Sequence, residues 1–191
     1  AAYTPNYKIN FDGQSFDIDA DGNMAKADLV NYITNKYGKR PTERDIDATL
    51  DAWVSNGSTA VKMTTSETFQ VKAIPEAPFI DEGYYLVGDM FTTEDGVNGW
   101  NTISDKQTFK HSDKDVYEDP IFTFTVTTTK ADQYWKIIPQ ENIDANNVWA
   151  NGVLGPVEDG SIAAQGTLVT TNPQAGKIAE AGTYVITLNM L

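Results

Sequence analysis

The chain has 191 residues, of which 40% are hydrophobic and 21% charged, so it is long enough for one large or two small globular domains. Its net charge of −13 argues against nucleic acid, anionic polysaccharides and bare anionic membranes, whose charges it would repel, and leaves neutral ligands untouched. It has no cysteine and one histidine, His111, which excludes disulfides, thiolate metal sites, cysteine nucleophiles and multi-histidine centres; no apolar run approaches the roughly 18 residues that cross a bilayer.

In chain order, residues 7–11 (Tyr-Lys-Ile-Asn-Phe) alternate as a strand and turn at Asp12-Gly13, and Phe16-Asp17-Ile18 is a short partner ending at Asp21-Gly22. From about 25 to 37 the period becomes helical, with Leu29, Tyr32, Ile33 and Tyr37 on one face and Gly38 as the stop. Next, Ile46, Ala48, Leu50, Ala52 and Val54 face one way. Asp45, Asp47, Thr49, Asp51 and Trp53 face the other, which predicts a strand with one core side and one wet side. Asn56-Gly57 turns it into residues 60–63, and Phe69, Val71 and Ala73 alternate again. Pro75 and Pro78 then break the pattern, and the domain boundary is placed there. The expected architecture is mainly β: two β-sandwich domains in tandem, residues 1–78 and 79–191, the first Ig-like with one inserted helix.

Downstream, strands are expected at 84–87, 121–126, 135–138 and 183–188, separated by long polar loops at 91–116 and 140–166. Loops of that length are functional more often than structural. They carry Trp100, after Asn98-Gly99, and Trp149, after Asn146-Asn147-Val148. A flat indole beside amide and hydroxyl groups suits a sugar ring, whose C–H face stacks while its hydroxyls find hydrogen bonds. Trp53 and Trp135 read as ordinary core. On the strand at 135–138, Lys136 alternates away from Trp135 and Ile137 and so faces the loops, where its ammonium can donate to sugar hydroxyls. Tyr117, Asn147 and Asn151 could add further donors and acceptors.

Two other chemistries compete. Asp17, Asp19, Asp21 and Asp28 fall at positions 1, 3, 5 and 12 of a calcium-loop template with Gly22 at position 6. No helix precedes the loop, and an Asp-Gly turn running into a helix explains the same residues. For catalysis there is no Ser-His-Asp set, nucleophile elbow or phosphate-binding glycine loop, and a β-module of this size offers little room for a deep glycosidase cleft, so the chain reads as a non-enzyme needing no cofactor.

In the second half the segments 84–89 (Tyr-Tyr-Leu-Val-Gly-Asp), 99–101 (Gly-Trp-Asn), 134–140 (Tyr-Trp-Lys-Ile-Ile-Pro-Gln), the Trp149 loop and 182–189 (Gly-Thr-Tyr-Val-Ile-Thr-Leu-Asn) follow one another in order. In these segments the chain resembles the SusE/SusF-type surface glycan-binding lipoproteins of Bacteroidetes. Upstream, Asp28-Leu29, residues 37–41 (Tyr-Gly-Lys-Arg-Pro) and the strand at 46–54 look like the Ig-like domain that precedes such modules. The resemblance implies a lipoprotein on the outer face of the outer membrane, with an Ig-like spacer followed by starch-binding β-sandwich modules. Its lipidated cysteine and further modules are expected outside these residues. By position, Trp100 and Trp149 match the family's aromatic platform and Lys136 its polar partner. The expected ligand is a neutral polysaccharide, a starch-like α-glucan first. The alternative is a structural module that docks to an outer-membrane glycan transporter complex with its tryptophans in the core. A third reading is a calcium-dependent adhesin.

Overall fold

The structure is a computed structural model that describes residues 2–191. The chain is mainly β, as the periodicities predict, and divides into two compact units, Ala1–Phe79 and Ile80–Leu191.

In the first unit, β1 (Thr4–Phe11) and β2 (Gln14–Ile18) form a hairpin whose two loop residues, Asp12 and Gly13, both have positive φ (48° and 78°). That conformation matches the twist of the strands, and Asp-Gly adopts it at low cost. The long strand β3 (Arg44–Ser55) pairs with β1 along one edge. Its other edge takes β5 (Phe69–Ala73) beside its first half and β4 (Ala60–Thr65) beside its second. The described strands of this unit therefore make one antiparallel sheet, and the layer that completes its core is helix α1 (Lys26–Tyr37). Tyr32 and Ile33 of the helix bury against Ile9, Phe11, Ile46, Ala48 and Ala73 of the strands, with the Tyr32 ring stacked 5.1 Å from Phe11. The Tyr32 hydroxyl donates to Asp12 at 3.0 Å, so the same turn that closes the hairpin also holds the helix. Ile46 and Ala48 are buried, while Asp45 and Asp51 on the opposite face bond Lys72 and Thr65. Trp53 is half-buried beside an irregularity in the β3–β4 register.

The candidate calcium loop takes its turn form. The Asp19 carboxylate accepts the amides of Asp21 (2.9 Å) and Asn23 (2.8 Å) and the Asn23 side chain. The Asn23 bonds hold its pKa below the usual carboxylate value. Asp17 pairs instead with Lys8 across the hairpin. Among the described residues, no three carboxylate or histidine side chains are grouped to hold a metal ion. Spacing alone cannot separate the two readings, because Asp-x-Asp-Gly is also what an Asp-capped turn needs.

In the second unit, β6 (Tyr84–Gly88) lies beside β8 (Gln133–Pro139), which pairs on its other side with β11 (Gly176–Ile178). A second sheet joins β7 (Ile121–Thr128) to β12 (Gly182–Asn189). Single bridges Tyr85–Thr108 and Lys110–Thr123 connect the two sheets, so the strands wrap round one core in the order β12, β7, residues 108–110, β6, β8, β11. Leu86, Ile137, Phe122, Ile80 and Leu188 fill that core. A short ribbon, β9 (Gly155–Pro156) with β10 (Leu168–Val169), lies outside it. Four of the named elements were unforeseen: β9, β10 and β11, and a short helix α2 (Gln140–Asp144) that opens residues 140–166, expected as loop. Its first turn follows Pro139, which presets the entry angle, and the buried Asp81 carboxylate accepts the Glu141 amide at 2.9 Å.

Candidate functional site

The site lies on the face of β6 and β8 that carries Tyr85, Val87, Lys136 and Ile138. Gly88 closes β6, and a side chain there would run into the Tyr134 carbonyl. The chain then makes a single turn of 3-10 helix, Asp89–Phe91, and returns at Gly99, whose carbonyl accepts the Gly88 amide at 3.0 Å. A Cβ on Gly99 would meet the Gly88 carbonyl and Phe91 backbone at 2.5 Å, so only glycine lets the loop lie this close to the strand. Trp100 follows directly and packs on Val87, Ile138 and Val153 beside Ile103 and Val148.

Asp89 fixes the orientation of that indole. One carboxylate oxygen accepts the Trp100 Nε1–H at 2.8 Å, and the other accepts the Tyr134 amide at 2.8 Å. A single carboxylate thus ties the Trp100 loop to the start of β8.

Trp149 arrives from the other loop. Asn142 on α2 is buried and donates from one amide nitrogen to the carbonyls of Val148 and Ala150, both at 3.1 Å, which pins the backbone on either side of Trp149. The indole N–H of Trp149 donates to the Asn101 side-chain oxygen at 2.7 Å, so it is bonded to the residue next to Trp100. The two rings lie 6.3 Å apart with 34° between their planes. Trp149 is 45% exposed, while Trp100 is half-buried and forms the floor beside it. The Lys136 ammonium sits 6.0 Å from the Trp149 ring centre, on the face of β8 opposite Trp135.

The structure therefore brings together Trp100, Trp149 and Lys136. Asn147 and Asn151 flank Trp149 in the same loop and are exposed. Tyr117 does not join them: it is 8% exposed, and its hydroxyl accepts the Ile80 amide at 3.0 Å inside the core. A phenol within a polar stretch reads from sequence as a surface donor, but here the ring is buried because a backbone amide satisfies its oxygen. Both indole N–H groups are committed within the protein, so what the pair offers to solvent is ring face.

Such a surface can stack against a flat-faced ligand and supply one cation and a few amides at its edge. Residues 79–191 match the family described as SusF, first starch specific CBM. The chain belongs to that family of carbohydrate-binding modules. It also aligns with the crystal structure of SusF from Bacteroides thetaiotaomicron at 19% identity and a TM-score of 0.46, over 99% of this chain and 41% of that one. The chain thus spans less than half the length of that structure. No curated protein matches it.

For a SusF-type module, the residues not foreseen as part of the site are Asp89, Asn101 and Asn142. Each holds a tryptophan in place: Asp89 and Asn101 accept an indole N–H, and Asn142 pins the backbone on either side of Trp149. Asp89 and Asn101 adjoin glycine and tryptophan in the segments that carry the resemblance, and that adjacency was their only signal.

Proposed function

We propose that this chain captures a neutral α-glucan of the starch type without cleaving it, using Trp100 and Trp149 as stacking faces and Lys136, Asn147 and Asn151 as hydrogen-bonding partners. The observation that carries the proposal is the pair of indoles set 6.3 Å apart and inclined by 34°, one of them solvent-exposed. Inclined planes follow a chain that curves, as α-1,4-linked glucose does, better than the flat ribbon of a β-1,4 chain. Because their N–H groups are bonded to Asp89 and Asn101, the rings are held before the ligand arrives, which lowers the ordering cost of binding. The net charge of −13 favours a neutral glycan over an acidic one. Each sugar contact replaces a contact with water, so one site of this kind binds at roughly micromolar to millimolar Kd, and firm capture relies on several modules acting on one polymer. The setting that fits is a lipid-anchored protein on the outer face of a bacterial outer membrane, gathering glycan beside a transporter complex.

Affinity electrophoresis tests this reading. Native gels containing amylopectin or pullulan should retard the wild-type chain, while dextran and xylan should not. Trp100→Ala and Trp149→Ala should each abolish the retardation with the fold intact. Equal mobility of wild type in every gel would refute glycan capture by this site.

A further inference from the structure

The wrap of strands in the second unit has a seam. Going round the core from β12 through β7 and β6 to β8 and β11, every neighbouring pair is joined by a ladder or a bridge. On the far side of β11 the chain at Ser161 bonds Lys177, and between that segment and β12 there is no pairing. Among the described residues, the backbone of Thr183–Asn189 makes hydrogen bonds only to β7, so alternate amides and carbonyls along its other edge face outward without backbone partners.

A cleft of about 530 Å³ opens beside that edge. Its floor is Ile137, Ile178 and Leu188, all buried, and its walls include Trp135, Leu168 and Ile186. Ile162 and Val185 stand at its mouth, 65% and 67% exposed. Residues 161–168 and 182–191 carry no charged side chain, in a chain where 21% of residues are charged. Lys177 in the wall is already paired with Asp132 at 2.9 Å.

An uncharged, β-branched edge strand of this length, with no proline, lysine or bulge to blunt it, is the kind that proteins keep covered. The occupant has to supply two things at once: backbone groups for the β12 edge and apolar side chains for the cleft below it. An acyl chain supplies only the second. A second copy paired through β12 supplies the first, but the inward side chains of its own β12, Ile186 and Leu188, already line its own cleft and are not available to fill this one. We infer that the seam takes an extended polypeptide strand with apolar side chains at every second position and no charges, adding to β12 and closing the wrap. Its outward side chains face water, and its inward ones land on Ile137, Ile178 and Leu188.

The probe is a short, capped, fluorophore-bearing peptide alternating threonine with isoleucine. Its control has the same composition, with the isoleucines in one block and the threonines in another. Fluorescence anisotropy with the full chain should show saturable binding of the alternating peptide at least tenfold tighter than of the block peptide. Ile162→Glu and Val185→Lys change exposed side chains at the mouth, so both should fold normally and keep their mobility in amylopectin gels. Each should weaken peptide binding at least tenfold. Three outcomes overturn the inference: no binding of the alternating peptide, equal binding of both peptides, or binding indifferent to both substitutions. Sedimentation of the chain alone supplies a further test. A dimer abolished by Val185→Lys would assign the edge to a second copy and overturn the inference as well.

Discussion

Replacing Asp89 by alanine should damage glycan binding by way of Trp100, because both carboxylate oxygens are bonded within the protein. Its two oxygens accept one bond each, from the Trp100 indole and the Tyr134 amide, both at 2.8 Å. Hydrogen bonds to a charged group contribute about 1.5–3 kcal/mol each, and a half-buried carboxylate sits at the lower end of that range. The two together, being coupled through one side chain, stabilise the second unit by about 2–3 kcal/mol. For a unit of this size that corresponds to a fall in Tm of about 10 °C. Thermal unfolding followed by tryptophan fluorescence reads the second unit, because it holds three of the four tryptophans. Calorimetric titration with a malto-oligosaccharide should show the Asp89→Ala chain binding about tenfold more weakly, since Trp100 is free to turn. Asp89→Asn separates the two roles. It keeps an acceptor for the indole but turns its own N–H towards the Tyr134 amide, so it should lose stability while holding most of its affinity. An Asp89→Ala chain with wild-type Tm and wild-type affinity would refute the reasoning.

Asn101→Ala removes the acceptor of the Trp149 N–H, a bond of 2.7 Å at an exposed position. It should leave Tm within about 1 °C and weaken glycan binding several-fold, as a titration would show. Gly99→Ala puts a Cβ 2.5 Å from two backbone atoms, so the loop must move; circular dichroism should show the sheets retained, while Trp100 emission shifts red and gel retardation is lost. Burial pushes the Tyr84 phenol up to about 12 from its ordinary 10. The folded state therefore favours the protonated form. The resulting stability, on the order of 2–3 kcal/mol, is intact below pH 10 and lost as the pH rises from 10 towards 12, because the unfolded phenol ionises first. Alkaline unfolding monitored at fixed temperature should steepen in that window, and Tyr84→Phe should flatten it.

What the sequence made legible was whatever has a short period. Alternation at 46–54 and 121–126 marks β3 and β7, the helical spacing of Leu29, Tyr32 and Ile33 marks α1, and Asp12-Gly13 marks its own turn. Alternation along β8 also put Lys136 on the opposite face from Trp135, which is where the structure has it, beside Trp149. The meeting of Trp100 with Trp149 had no local signature. The antiparallel strands β6 and β8 send their loops off at opposite ends, and the two tryptophans meet because both loops fold back over the face that carries Val87, Lys136 and Ile138. The bonds that hold the pair span 11, 45 and 48 residues, and such separations leave no periodicity to read. Asn142 was invisible for a related reason: an amide in a polar stretch looks solvated until the loop folds back over it. Tyr117 was misread in the same way, with the opposite result for the site. The seam beside β12 is likewise a property of order around the core, which no window of sequence contains.

The chain has four tryptophans, and each contributes one indole N–H resonance. Adding a linear malto-oligosaccharide to the nitrogen-15-labelled chain tests the central claim most directly. The account predicts that the Trp100 and Trp149 indole signals move together along one saturable curve. Those of Trp53, in the other unit, and Trp135, on the opposite face of β8, should stay where they are. Glycan binding that leaves Trp149 unmoved, or that shifts Trp53 or Trp135 in its place, would contradict it.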